Sequence, residues 1–408
     1  MRRARSSRRP VRHAVAVTLL AVVPLATRAA PAAADPAADS VELPSIPSVV
    51  APGEPCTPAS KVTARQEPWT RQALGLKRAW TLADGGGVTV GVVDTGVTTT
   101  VPALGDRVTA VGAAGEDCAG HGSFAAGLIA AAPVEGVGMA GVAPAARVLA
   151  VRGTDERGAP TARLLADGIR AAVDGGAKVV YVGRVVPDGK EVLTAAVEYA
   201  RQRDALVVAP YAPDALPRDR ATGRTVRPAP WYWPSAVPGV LTVMDHGPDG
   251  TRPKNAPPPA GADLAAPGDA VVSVGPAGAG HFIGSGSSFA AANVAGAAAL
   301  VRSRHPRMTA AQVARQLVAA AYPAVPPRVD PYAALTAVLP GERAAPPGAP
   351  PVTIPPEASS EPRRRALWIA GAGGALALLV AGAAVVIPRG RARGWRPAGH
   401  DPERGTTG

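Results

Sequence analysis

Three side chains in the sequence could together carry out nucleophilic catalysis. Asp94 ends the β-branched run GVTVGVVD, His121 lies in GHGSFAAG, and Ser288 lies in GSGSSFAAAN. A serine hydroxyl becomes a nucleophile when an imidazole takes its proton and a carboxylate orients the ring and stabilises the imidazolium. The three residues therefore predict a hydrolase in which Ser288 attacks, His121 acts as the base and Asp94 orients it.

The segments around these residues predict the elements that position them. Residues 87–94 are typical of a buried strand, and a carboxylate at the carboxyl end of a central parallel strand lies where α/β proteins place their ligand crevices. His121 and Ser288 each begin an apolar stretch of small residues, which predicts two helix starts. Free backbone N–H groups at such a start, including that of Ser288, can stabilise a developing oxyanion. We therefore expect an α/β fold with a doubly wound parallel sheet and flanking helices.

The three motifs also resemble a known family. VVDTG, GHGSFAAG and GSSFAAANVAG are similar to the active-site motifs of the subtilisin-like (S8) serine proteases, in the same order Asp, His, Ser. Asp94 and His121 lie 27 residues apart, and His121 and Ser288 lie 167 residues apart. Because all three motifs occur in this order and at these spacings, three unrelated strand–turn–helix junctions are the weaker interpretation. The resemblance implies a subtilisin-like fold and peptide-bond hydrolysis through an acyl-enzyme on Ser288.

The flanking sequence narrows the resemblance. The segments LGLKRAW before the first motif, DCAGH around His121 and VDPYAAL near residue 330 resemble the mycosins, membrane-anchored subtilisin-like proteases of type VII secretion in actinobacteria. The resemblance implies a peptidase domain over residues 80–341 and an extension over residues 35–79 that wraps it. It also implies a protein or peptide substrate and the type VII secretion membrane complex as partner.

The formal net charge of +12 lies almost wholly at the two ends of the chain. Residues 1–28 contain seven Arg and no acidic residue, and residues 363–408 contain eight Arg and two acidic residues. The ends therefore carry +13, which leaves a net charge of −1 for residues 29–362. A domain so close to neutral lacks the basic surface of a nucleic-acid-binding protein, so we expect no nucleic-acid partner.

Both ends also predict contact with a membrane. Residues 1–34 combine an Arg-rich start, a short apolar stretch and a run of small residues ending at Ala34, which is the layout of a cleaved signal peptide; an uncleaved anchor is the alternative. Residues 366–387 lack charge and, as a helix, are long enough to cross about 30 Å of hydrocarbon. We predict a Pro-rich linker over residues 342–365, a transmembrane helix, and a basic cytoplasmic tail over residues 388–408. The peptidase domain would then lie outside the cell membrane.

Two cysteines are present, Cys56 and Cys118, which lie 62 residues apart. In an exported chain such a pair predicts a disulfide, here between the extension and the residues just before His121. Two free thiols are one alternative. A second alternative is that Cys118 and His121 form half of a metal site. This interpretation is weaker, because the sequence has no second pair of ligands at a suitable spacing. No calcium-binding or nucleotide-binding motif stands out, so we expect no cofactor and no metal.

The sequence departs from the family pattern at the oxyanion site. Subtilisin-like proteases use a side-chain Asn there, but the corresponding segment VVAPYAPD, residues 207–214, contains none. Asn255 and Asn293, the two Asn of the chain, lie too far along the sequence to replace it. Asp214 is a candidate donor only when protonated, because an ionised carboxylate repels an oxyanion. Loss of the donor typically slows such a reaction by roughly 100- to 1000-fold.

Nearby motif positions differ as well. The strand that should pair with substrate contains Arg184, which brings a charge and bulk, and Ser287 and Ala292 replace the family's Thr and Pro. Two functional hypotheses follow. The chain is either a membrane-anchored serine endopeptidase, with activity weakened or lost, or a pseudoprotease that serves as a scaffold of the secretion complex.

Overall fold

The computed structural model describes residues 42–216, 222–252, 256–257, 261–339 and 361–394. The predicted signal peptide, Asn255, all but the last residues of the predicted linker, and residues 395–408 of the predicted tail lie outside the described residues. The chain divides into two compact units, of which the first ends at Leu339 and the second begins at Pro340.

Seven parallel strands form the central sheet of the first unit, in the order β2-β3-β1-β4-β5-β6-β7. The chain starts in the middle of the sheet at β1, extends to one side through β3 and β2, and then to the other through β4 to β7. A crevice opens at the carboxyl end of β1 in such an arrangement. The strands are β1 Thr89–Asp94, β2 Val108–Ala110, β3 Arg147–Arg152, β4 Val179–Val182, β5 Leu206–Pro210, β6 Leu241–His246 and β7 Leu264–Pro267.

Helices cover both faces of the sheet, which confirms the predicted doubly wound α/β fold. The helices α3 and α6 pack on one face, and α4 and α5 pack together on the other. A two-stranded antiparallel hairpin, β8 Val271–Val274 and β9 His281–Gly284, precedes α6. The helices of this unit are α1 Trp69–Ala73, α2 Leu76–Ala79, α3 His121–Ala130, α4 Ala162–Asp174, α5 Lys190–Gln202, α6 Ser287–Arg304, α7 Ala310–Ala319 and α8 Pro331–Thr336.

The alternation of side chains along β1 decides which layer receives Asp94. Val90 and Val92 are buried in the cluster that contains α3 and α6, whereas Val93 is buried in the cluster that contains α4 and α5. Side chains two apart along a strand point to the same face. Asp94 therefore faces the layer of α3 and α6, whose first turns carry His121 and Ser288.

Residues 42–68 of the predicted extension contain no helix and lie along the rest of this unit, held by backbone hydrogen bonds. Ile46 donates to the carbonyl oxygen of Ile283, and Ile283 donates to that of Pro44, so the extension pairs with β9. Farther along, Thr57 donates to Cys118, and His281 donates to Val62. The extension thus contacts both the hairpin and the turn that leads into α3.

A disulfide joins Cys56 to Cys118, as predicted from the sequence. Its position three residues before His121 fixes the extension beside the start of α3. Among the described residues no cysteine is free, which removes the alternatives of two thiols and of half a metal site.

The second unit contains one described helix, α9, Glu361–Ala392. Within its segment Arg364–Ala392 a window of 18 residues has a mean hydropathy of 2.2, so the helix is long and apolar enough to cross a membrane. The helix extends beyond the predicted span of residues 366–387 at both ends. The charge-free stretch defines the apolar part of a span, whereas Arg side chains at the ends can remain in the helix and extend to the interface.

Replacing both Cys56 and Cys118 by Ala should lower the free energy of unfolding by about 4 kcal/mol, because the unfolded chain regains the entropy of a long open loop. Denaturant unfolding of the full chain, followed by fluorescence, measures this change. Wild-type protein in reducing agent is the matched control and should lose about the same amount. Equal midpoints for oxidised, reduced and substituted proteins would contradict the prediction.

Candidate active site

The structure brings Asp94, His121 and Ser288 together at the carboxyl edge of the sheet. Nδ1 of His121 lies 2.8 Å from Oδ2 and 2.9 Å from Oδ1 of Asp94, and Nε2 lies 3.1 Å from Oγ of Ser288. The Phe289 ring stacks on the imidazole, with the ring centroids 4.7 Å apart. All three polar side chains are buried. The imidazole therefore bridges a carboxylate and a serine hydroxyl, which is the arrangement needed for nucleophilic catalysis.

The first turn of α3 is held by a second carboxylate that the sequence analysis did not identify as functional. Asp117 accepts hydrogen bonds from the amides of Gly120 and Ser123, at 2.7 and 2.8 Å. Thr95, which follows Asp94, accepts a hydrogen bond from the amide of Gly122 at 2.8 Å. These bonds satisfy donors at the helix start and fix the direction in which His121 leaves it. An Asp a few residues before a helix start is the sequence signal for this role.

Asp214, which the sequence analysis named as a candidate oxyanion donor, lies beside Ser288. Its Oδ1 accepts a hydrogen bond from the Ser288 amide at 2.8 Å, and its Oδ2 accepts one from Ser288 Oγ at 2.7 Å. Oδ2 also lies 3.5 Å from Nε2 of His121. Gly286 makes this approach possible, because a Cβ there would lie 2.2 Å from Cγ of Asp214. Both the nucleophile and the backbone donor of the candidate oxyanion site are therefore bound to one carboxylate.

The side chain of Arg184 turns inward toward the triad. It is 8% exposed; its Nε lies 3.9 Å from Oδ1 of Asp94, and its NH2 group donates to the backbone carbonyl oxygen of Ser48 in the extension. The hydroxyl of Tyr181 donates to Oδ2 of Asp94 at 3.4 Å. Gly183 lies so close to Asp94 that a Cβ there would be 1.8 Å from Oδ2. The sequence analysis expected Arg184 near the substrate; the side chain lines the cleft beside Asp214 and also bridges Asp94 and the extension.

These charges shift the pKa values of the triad in opposite directions. Burial raises the pKa of Asp94, but His121, Arg184 and the Thr95 amide stabilise the carboxylate, and the net pKa lies below its ordinary value. Burial and the Arg184 cation lower the pKa of His121, but Asp94 and Asp214 outweigh them, and the net pKa lies above its ordinary value. Burial, Asp94 and Asp214 raise the pKa of Tyr181 well above its ordinary value, so Tyr181 remains a neutral donor. The surroundings therefore stabilise the ionised form of Asp94 and the protonated form of His121 relative to the free side chains.

A cleft of about 450 Å³ lies beside Asp214, the carboxylate that binds Ser288. Its walls are mostly apolar, and Asp214 and Arg184 are among the residues that line it. The extension contributes Ser48 and Val49 to the lining, and Tyr232 lines the cleft as well. The cleft is large enough to accept a peptide side chain, and the extension forms part of its wall.

The remaining sequence expectations are placed as follows. Ser287 donates to Oδ1 of Asp245 at 2.6 Å, and Ala292 is buried in α6. Asn293 donates to the Pro267 carbonyl oxygen at 2.9 Å within the core, so it is not an oxyanion donor. Asn255 lies outside the described residues.

Replacing Arg184 by Met should raise the pKa of His121, because the cation opposes protonation of the imidazole. NMR titration of the ring in full-length protein measures the shift, with the signal assigned by a His121→Gln variant. Arg163→Met, which changes an exposed Arg on α4, is the control and should leave the titration unchanged. An unchanged or lowered His121 pKa in Arg184→Met would be inconsistent with the assigned role of the cation.

Comparison with known proteins agrees with this geometry. The family profile for the subtilase family matches residues 85–345. Mycosin-3 of Mycobacterium tuberculosis is 32% identical in an alignment 394 residues long, and this alignment covers 78% of this chain and 83% of the relative. The crystal structure of MycP1 from Mycobacterium smegmatis has 27% identity and a TM-score of 0.61, covering 70% of this chain and 90% of that chain.

A chain in the structure of an intact ESX-5 inner membrane complex also matches, with 26% identity and a TM-score of 0.61, covering 86% of this chain and 100% of that chain. The resemblance inferred from the three motifs and their flanks is thereby confirmed. The parallel sheet, the match to the family profile and the similarity to mycosins along most of the sequence together show that the chain belongs to the subtilase family of serine endopeptidases and, within it, to the mycosins.

Proposed function

We propose that the chain is a membrane-anchored serine endopeptidase of a type VII secretion system, with Asp94, His121 and Ser288 as its catalytic residues. The observation that carries the proposal is the buried imidazole that joins Asp94 to Ser288 through hydrogen bonds of 2.8 and 3.1 Å. The substrate class is an extended protein or peptide segment that binds in the cleft beside Ser288.

In this mechanism Ser288 Oγ attacks the peptide carbonyl carbon and forms an acyl-enzyme, which water then hydrolyses. His121 protonates the leaving amine and takes a proton from the attacking water, and Asp94 fixes the ring with Nε2 toward the reacting atoms and stabilises its positive charge. The amide of Ser288, at the first turn of α6, is the backbone donor closest to the developing oxyanion. No step requires a cofactor or a metal.

The association with a membrane complex rests on the relatives and on α9. The matched chain of the ESX-5 inner membrane complex is covered over its whole length. The helix α9 is long and apolar enough to cross a bilayer. Together with the signal peptide predicted for residues 1–34, this supports a single-pass chain with the peptidase unit outside and residues 388–408 inside.

One observation favours a second function, a scaffold of the secretion complex without peptidase activity. The Ser288 hydroxyl and amide both bind the Asp214 carboxylate, and the sequence predicts that the family's neutral donor is missing. A charge fixed at that position opposes oxyanion formation. The scaffold hypothesis predicts a folded but unreactive serine.

Labelling by a fluorophosphonate probe separates the two functions. We expect the purified full chain in detergent to be labelled, and Ser288→Ala to lose the label completely because Ser288 carries the hydroxyl that contacts Nε2 of His121. The readout is the probe signal on the intact protein. Ser303→Ala, which changes a serine at the far end of α6, is the matched control and should retain the label.

Label retained by Ser288→Ala would show that the nucleophile is another residue and would contradict the proposed site. A wild-type protein that is folded by circular dichroism and remains unlabelled from pH 5 to 9 would contradict the peptidase function. The scaffold function would then stand.

Deletion of residues 361–408 should move the protein from the membrane fraction to the soluble fraction, because α9 supplies the proposed anchor. Expression in a host without a type VII secretion system avoids retention by partner proteins, and ultracentrifugation followed by immunoblotting measures the distribution. The full-length chain is the control and should sediment with membranes. A truncated protein that still sediments after a high-salt wash would show that the anchor lies elsewhere.

A further inference from the structure

The contacts of Ser288 indicate which group receives its proton. The hydroxyl has one hydrogen, and its shorter contact is to Oδ2 of Asp214 at 2.7 Å, against 3.1 Å to Nε2 of His121. With the hydrogen directed to Asp214, the contact with His121 is a hydrogen bond only if Nε2 donates. Since Nδ1 faces Asp94, the imidazole then carries hydrogen on both nitrogens.

This placement of the hydrogens corresponds to a resting site with an imidazolium between two carboxylates, Asp94 and Asp214. The charged and titratable groups that face this pair come from several elements: Asp94 ends β1, Tyr181 lies on β4, and Arg184 follows it. Ser287 connects α6 to Asp245 of β6, and Arg227 lines the cleft together with Asp214. One cation, His121, balances the carboxylate at Asp214, and Arg184 balances the one at Asp94.

We propose that Asp214 is a further catalytic residue, the base that takes the Ser288 proton during acylation and then donates it as a hydrogen bond to the oxyanion. This inference rests on the proposed peptidase function. It differs from the sequence expectation, in which His121 takes this proton and Asp214 serves only as a possible replacement donor.

In acylation one proton passes from Ser288 to Asp214 and another passes from His121 to the leaving amine. Ser288 Oγ forms a bond to the carbonyl carbon as its proton passes to Oδ2 of Asp214, and the π electron pair of the carbonyl moves to its oxygen. The neutral carboxylic acid and the released Ser288 amide then bind this oxyanion. When the carbonyl reforms, the C–N bond breaks, and the amine leaves with the proton from Nε2 of His121. The acyl-enzyme then has a neutral imidazole and a protonated Asp214.

Deacylation restores the starting state. Water attacks the acyl carbon and gives a proton to the neutral His121, while the protonated Asp214 again binds the oxyanion. Collapse breaks the bond to Ser288 Oγ, which takes back the proton from Asp214. The pair of His121 and Asp214 holds one proton before and after the cycle, and the net reaction consumes one peptide bond and one water.

The physical advantage concerns charge at the oxyanion site. A carboxylate that remained ionised would face a second negative charge only a few ångströms away, in a buried site where such repulsion is strong. Transfer of the Ser288 proton neutralises Asp214 at the moment when the oxyanion forms. The negative charge therefore moves from Asp214 to the substrate oxygen, and the net charge of the site is unchanged.

The test is the pH dependence of fluorophosphonate labelling in the full chain, for the wild type and for Asp214→Asn. We expect a bell-shaped profile for the wild type, because the reactive form holds one proton on the pair. Asp214→Asn retains a neutral donor but cannot take the proton, so neutral His121 must act as base. Its rate should rise with pH to a plateau, falling by about tenfold per pH unit on the acidic side. Asp167→Asn, on the exposed face of α4, is the matched control and should follow the wild-type profile.

A second measurement is independent of labelling. In a Ser288→Ala background, Asp214→Asn should lower the pKa of His121 measured by NMR, because the Asp214 carboxylate raises it. An unchanged His121 pKa would show that the pair does not share a proton and would overturn the proposal.

The labelling outcomes also separate this proposal from the peptidase function. A wild-type profile of the same shape as that of Asp214→Asn, but slower at every pH, would show that Asp214 only obstructs the oxyanion site. Labelling of Asp214→Asn alone would have the same meaning and would leave the peptidase machinery intact. Absence of labelling in both folded proteins would overturn the proposed function and with it the role of Asp214.

Discussion

The structure of the site depends on one buried charge, the carboxylate of Asp94, which is fully inaccessible to solvent. Burying an isolated carboxylate costs several kcal/mol unless donors and a counter-charge replace the lost water. The Thr95 amide, at 2.7 Å from Oδ1, and His121 provide the closest replacements. Tyr181 and Arg184 also lie beside the carboxylate, and the absence of a side chain on Gly183 leaves room for it. All of these groups are arranged around the carboxyl end of β1.

This dependence links the extension to the chemistry. Arg184 compensates Asp94 with its charge and binds the Ser48 carbonyl oxygen with its NH2 group, so one side chain connects the triad to the extension. The disulfide at Cys118 and the pairing of Ile46 with β9 hold the extension on either side of this contact. The extension is consequently a structural part of the active-site region.

The sequence predicted those parts of the molecule that local patterns determine. The local signals are a β-branched run that ends at Asp94, small-residue stretches that begin near His121 and Ser288, and two cysteines in a chain with a predicted signal peptide. The structure has a strand, two helices and a disulfide at these positions. The direction of the Arg184 side chain was not predictable in this way. It depends on how closely Gly183 passes Asp94 and on where Ser48 of the extension lies, which are contacts between segments far apart in the sequence.

The contacts of Asp214 were not predictable from local sequence patterns either. Alignment by pattern identified the residue as a candidate donor, but its contacts with both the amide and the hydroxyl of Ser288 depend on the loop after β5 and on the space left by Gly286. Replacing a neutral amide by a carboxylate introduces a charge at the point where the reaction creates another. Among the described side chains, Ser288 Oγ lies closer to Oδ2 of that carboxylate, at 2.7 Å, than Nε2 of His121 does, at 3.5 Å. In the proposed mechanism, neutralising Asp214 and activating Ser288 are the same proton transfer, so the nucleophile and the oxyanion donor change protonation state together.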